Sequence, residues 1–170
     1  MLQKCSYMNV LGVFFREPTE MQFIKGISRK IGLAHTSVMK YIKELEAEEL
    51  ILKKKGRPFD GYVANRDSEK FKFYKQVYNL NSLFEVREEI VDKIGPKTII
   101  LFGSYQGGED IEGSDVDILV VSKIRKDLDL KKIEKKIERN IHLTFVEKIE
   151  NLDENIQKNV RNGWVLYGNI

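Results

Sequence analysis

A single cysteine, Cys5, leaves no partner for an internal disulfide. With only two histidines, the chain also lacks the four donors of a structural zinc site. The longest apolar runs, such as residues 98–102 and 118–121, fall far short of the roughly 20 residues that a membrane-spanning helix needs. Residues 1–6 show neither the apolar core nor the cleavage pattern of an export signal. Internal repeats and low-complexity tracts are absent from the sequence. These absences lead to the expectation of a soluble, cytoplasmic protein with no membrane partner.

What is there is globular. Of 170 residues, 42% are hydrophobic and 10% aromatic, enough to bury the core of one ordinary domain or two small ones. The net charge of +3 is unevenly spread. Residues 1–66 carry 12 Lys and Arg against 7 Asp and Glu, whereas residues 67–170 carry 17 against 19. That asymmetry suits a basic module meeting a polyanion, joined to a module with another task. Solvated faces on a chain rich in Lys and Glu would give the same count.

The spacing of apolar residues predicts a first helix over residues 7–16, closed by Pro18, and a second over 20–31, capped by Thr19 and ended by Gly32. A short turn at 33–36 precedes a third helix, with Val38, Ile42 and Leu45 inward and Lys40 and Lys43 outward. A strand at 50–52, a basic hairpin tip at 53–58 and a return strand at 61–65 follow. Helix, helix, turn, helix, basic hairpin is an order that resembles the winged helix-turn-helix of small prokaryotic transcription regulators. The resemblance rests on residues 27–33, Val38, Ile42, Leu45 and the strand at Leu50 and Ile51. It departs at Glu49, where glycine is common. It implies double-stranded DNA as a partner, with Thr36, Ser37, Lys40 and Lys43 facing the major groove. Lys53, Lys54, Lys55 and Arg57 would then lie along phosphates. Protein docking is the competing use of such a module.

A helix over 68–78, an interruption at 79–82 and a helix over 83–93 lead to Gly95-Pro96. Strands are predicted at 98–102, 115–121 and 141–146, with helices over 128–139 and 153–162. This is a mixed α/β layer, a small sheet flanked by helices. The expected domains are 1–66, a helical linker 67–81, and 82–170. Gly103 and Ser104 are read as a sharp turn offering main-chain amides and a hydroxyl to a phosphate. Asp115 and Asp117 stand two apart at the start of an apolar strand, so their side chains share a face. Two adjacent carboxylates repel unless a proton or cation bridges them, and hard divalent ions take such oxygens.

This constellation of Gly103, Ser104, Ser114, Asp115 and Asp117 resembles the active site of polymerase-β-like nucleotidyltransferases, above all their minimal prokaryotic forms. Residues 159–167 also look like the usual C-terminal end of that family. The resemblance implies nucleotide binding at Gly103, Ser104 and Ser114. It also implies Mg2+ (or Mn2+) at Asp115 and Asp117, and transfer of a nucleoside monophosphate from an NTP to an acceptor hydroxyl. The family draws a third carboxylate from a later strand, where this chain has His142. A neutral imidazole can take a proton near pH 7, although it is a poor Mg2+ ligand. A second departure is Gly107, in place of a basic residue. Residues 106–110 superficially resemble the signature of cyclic-dinucleotide cyclases, but the rest of such a domain is lacking and they are read as a loop. Two alternatives stay open: a regulator whose nucleotidyltransferase domain senses nucleotide or is inactive, acting as a homodimer, and an antitoxin-like partner of a toxin protein. The acceptor could equally be a protein.

Overall fold

The run of buried side chains at residues 10–15 makes α1 (Ser6–Arg16) a core helix. It belongs to the first of two units in a computed structural model that describes residues 5–169; that unit ends at Lys75, and the second begins at Gln76. α2 (Ile24–Ile31) buries Ile27, and Gly32, at φ +65°, ends it. α3 (His35–Ala47) buries Val38, Ile42 and Leu45 at i, i+4 and i+7. Each such side chain contributes about 1.5–3 kcal/mol relative to exposure. β1 (Ile51–Lys54) and β2 (Gly61–Ala64) pair antiparallel, Ile51 opposite Ala64.

Two expectations change here. The second helix starts at Ile24, not at residue 20, because Gln22 is drawn to the hairpin. Gln22 donates to the Tyr62 carbonyl at 2.7 Å and accepts from the Tyr62 amide at 2.9 Å. The third helix begins at His35, inside the expected turn. Glu49 also has a physical account. Its φ of 57° puts it in the left-handed region that glycine adopts freely. There the Leu50 amide reaches the Leu45 carbonyl and the Glu49 amide the Glu46 carbonyl, each at 3.0 Å, which closes α3 as a Schellman motif. The Asn65 side chain donates to the Glu49 carbonyl at 2.8 Å and holds the turn.

α4 (Glu69–Ser82) carries residues of both units. It runs through residues 79–82, where an interruption was expected, and the break is at Leu83 alone. Asn79 is 2% exposed, a buried helix residue and not a turn former. α5 (Phe84–Ile94) buries Val86, Ile90 and Ile94, and Gly95 at φ 58° caps it.

The second unit is a four-stranded mixed sheet flanked by helices, in the order β5-β4-β3-β6. β3 (Thr98–Phe102) lies antiparallel to β4 (Val116–Val121) and to β6 (Trp164–Gly168), while β5 (Ile141–Val146) lies parallel to β4. The parallel step is made through α7 (Lys131–Ile137), shorter than the helix expected over 128–139. Its left-handed end is Glu138, φ 57°. On one sheet face Ile99, Leu101, Val116, Ile118 and Val120 pack with Val86, Ile90, Ile94 and Ile137. On the other, Ile100, Leu119, Val121 and Val146 pack with Val160 of α8 (Glu154–Arg161). The strand β6 was not expected. Trp164 pairs with Leu101, and Gly163 passes so close that a Cβ there would lie 2.5 Å from the Leu101 carbonyl oxygen.

Glu49→Gly removes the left-handed strain of a side-chain-bearing residue, about 1–2 kcal/mol, and adds about 0.5–1 kcal/mol of backbone entropy to be lost. The expected result is a net gain of roughly 0.5–1 kcal/mol in urea unfolding. Gly32→Ala, whose Cβ would meet nothing within 4 Å, is expected to lose about 1 kcal/mol for the same conformational reason.

Candidate active site

β4 is apolar and buried except at its second residue, Asp117, which is half-buried. Alternation along β4 puts Asp117 on the face of Leu119 and Val121. Its register partners are Phe102 on β3 and His142 on β5. The chain leaves Phe102 directly into α6 (Gly103–Gly107), a single short helix where a tight turn was expected. Gly103 has φ 78°, and a Cβ built there would come within 2.8 Å of Asp117 Oδ2. Glycine is therefore required twice over, by backbone conformation and by the carboxylate beside it.

Asp115 is exposed and just precedes the strand. Asn140 Nδ2 donates to Asp115 Oδ1 at 3.1 Å, while the Asn140 carbonyl accepts from the Val116 amide at 2.8 Å. Burial pushes the Asp117 carboxyl up from its ordinary value; His142 opposes the shift and the charge of Asp115 adds to it. The sheet thus brings Gly103, Asp117 and His142 side by side, with Asp115 next along the same chain. Ser104 is exposed on the first turn of α6. The Ser114 Oγ accepts from the Ile111 amide at 2.9 Å, within the loop before Asp115. Sequence reasoning missed Asn140. Its position beside the third strand's histidine was the available signal.

The donor set can be tested against a divalent ion. Among the described residues no group of three His, Cys, Asp or Glu side chains is placed to hold a metal. Two carboxylates, one destabilised in its charged form by burial and by its neighbour, fit an ion that completes its shell with phosphate oxygens and water. The residues present fit a hard divalent ion that brings part of its own shell better than a resident one.

In the first unit, Thr36 and Ser37 lie on the opening turn of α3, and Lys40 and Lys43 are exposed further along it. Lys40 lies 3.8 Å from Glu44 and over the Tyr41 ring. Lys53, Lys54, Lys55 and Arg57 are exposed on the hairpin, with Lys53 3.4 Å from Asp60. Phe59, at the same tip, is 73% exposed. No helix among the described residues is long and apolar enough to cross a membrane.

Residues 83–165 match the family model described as a nucleotidyltransferase domain, a little under half of the chain. The four-stranded sheet that carries Asp117 lies almost wholly within the matched residues. No curated protein matches the chain. Among solved structures the chain is similar to HmgR of Pseudomonas aeruginosa, with 16% identity and a TM-score of 0.36. The match covers 70% of this chain and spans 46% of that one, a likeness too slight to bear on function.

Gly103→Ala tests the site's geometry. The added methyl must displace the Asp117 carboxylate while adopting positive φ, so stability is expected to drop by about 1–2 kcal/mol in urea unfolding. Nucleotide binding in the presence of Mg2+ should be lost in the same protein. Retention of both would show that Asp117 does not face this turn.

Proposed function

We propose that the chain is a metal-dependent nucleotidyltransferase that carries a DNA-binding winged helix in its first unit. The observation that supports the reading most is the register of β4, which sets Asp117 between the Phe102–Gly103 turn and His142. The reaction would be transfer of a nucleoside monophosphate to an acceptor hydroxyl, with pyrophosphate leaving. Asp115 and Asp117 would hold Mg2+ or Mn2+, which when bound withdraws charge from the α-phosphate. Gly103 and Ser104 would orient the triphosphate through main-chain amide and hydroxyl. His142, on the opposite flank of Asp117, would take the proton of the acceptor hydroxyl.

Calorimetry with ATP, GTP, CTP and UTP is expected to show binding of at least one triphosphate that requires Mg2+ or Mn2+. The Asp115→Asn/Asp117→Asn variant should lose that dependence, and equal binding by variant and parent sinks the assignment. His142→Asp is expected to change the rate of transfer by tenfold or more. A rise means that the proton acceptor is deficient, and a fall means that the imidazole has taken the part. An unchanged rate removes His142 from the site.

The basic hairpin supports the DNA part of the reading, since exposed Lys and Arg there can neutralise backbone phosphates without reading sequence. Duplex affinity should fall steeply with salt. Lys53→Ala/Lys54→Ala/Lys55→Ala should weaken binding to all sequences alike and flatten the salt slope. Ser37→Ala or Lys40→Ala should instead cost roughly 1–3 kcal/mol on a preferred site and less on random DNA. Gel shifts at several salt concentrations measure both. A protein that ignores duplex DNA at low salt would reassign the first unit to protein docking.

A further inference from the structure

A buried polar cluster gathers around Asp110, at the start of the loop that delivers Asp115, and the mechanism above makes no use of it. Asp110 and Arg139 form an ion pair at 3.2 Å with side chains 1% and 4% exposed. Asn79, also buried, donates to Asp110 Oδ1 and to the Tyr105 carbonyl, each at 2.8 Å. Arg139 Nη1 in turn donates to the Glu138 carbonyl at 2.9 Å, at the left-handed residue that ends α7. A buried ion pair repays little of its desolvation, and apolar residues of similar volume often serve stability as well. Its geometry therefore calls for another account.

That account lies in how the pair closes a ring. From Asp110 the chain makes one turn, in which the Ser114 hydroxyl accepts from the Ile111 amide and the Ser114 amide donates to the Ile111 carbonyl. It then reaches Asp115. Asp115 is held by Asn140, which also accepts from the Val116 amide. Asn140 directly follows Arg139, and Arg139 returns to Asp110. The buried pair thus ties the first residue of the loop to Arg139, and the next residue, Asn140, holds its last.

We propose that Asp110 and Arg139 are positioning residues for nucleotide-bound metal: by tying the start of the 110–115 loop to the residue before Asn140, they hold the Asp115 carboxylate at the reach the ion requires. The inference rests on the nucleotidyltransferase reading and assigns it two residues that touch neither metal nor nucleotide. Asp115 is exposed and accepts from Asn140, the residue that follows Arg139.

The test is Mn2+ binding, followed by the electron paramagnetic resonance of free Mn2+, with ATP, GTP, CTP and UTP in turn. The proteins are the full chain, Asp115→Asn, Asp110→Leu/Arg139→Met, and the triple variant. The apolar pair keeps the interior filled, and Asn79 keeps its bond to Tyr105; the thermal melting midpoint reports whether it is folded. The expected result is a Mn2+–nucleotide affinity at least tenfold weaker in the double variant, with the triple no weaker than Asp115→Asn alone. Such non-additivity marks action through Asp115 and is not produced by a general loss of stability. Parent-like affinity in the double variant, or losses that add in full, would overturn the proposal while leaving the nucleotidyltransferase reading intact. Absence of Mn2+–nucleotide binding in the parent overturns that reading and this one with it. If the double variant does not fold, Arg139→Lys carries the test: its single amine cannot bridge Asp110 and the Glu138 carbonyl as the guanidinium does. A severalfold loss supports the proposal, and parent-like affinity refutes it.

Discussion

Hydrogen bonding of β4 to β3 on one side and to β5 on the other sets the composition of the candidate site. A shift of one residue in either ladder would turn side chains to the opposite face. Asp117 would then leave the Gly103 turn, or His142 would leave Asp117. The apolar alternation forbids that shift, because Ile118 and Val120 are committed to one layer and Leu119 and Val121 to the other. Hydrophobic packing on both faces thus fixes a polar constellation at the strand's start. The carboxylate that burial disfavours is held in place by its neighbours along the chain.

The division of work across the sheet follows from the same order. β3 ends in the turn at Gly103 on one flank of Asp117, and β5 offers His142 on the other. On the proposed reading, a triphosphate approaching Gly103 and an acceptor approaching β5 would meet at the aspartates. The Asp110–Arg139 pair joins the loop before β4 to the residue before Asn140. Rigid strands place Asp117, whereas a loop places Asp115, and the buried pair gives that loop a fixed geometry.

Much of the site was legible in the chain. Residues 98–102, 116–121 and 141–146 are short, apolar and rich in β-branched residues, so the strands that hold the site could be read from composition and period. Gly103, Asp115 and Asp117 were candidates from those strands and their spacing, and His142 from the family resemblance. The features that escaped depend on partners distant in sequence. Asn79 reads as a turn former until Asp110, 31 residues later, is found beside it. Arg139 and Asp110 lie 29 residues apart, and each looks like an ordinary surface charge. β6 was hidden because Gly163 and Gly168 bracket a run that local pattern leaves undecided, and pairing with β3 makes it a strand. The start of α2 moved because Gln22 answers to Tyr62 across the hairpin.

The measurement closest to the central claim uses NTPs labelled at the α-phosphate, incubated with the protein, Mg2+ or Mn2+, and cell extract supplying acceptors. The account predicts a labelled acceptor with release of pyrophosphate, present in the parent, dependent on the metal and abolished in Asp117→Asn. Label that stays entirely in nucleotide with every triphosphate and both metals, or transfer that survives Asp117→Asn unchanged, would contradict it.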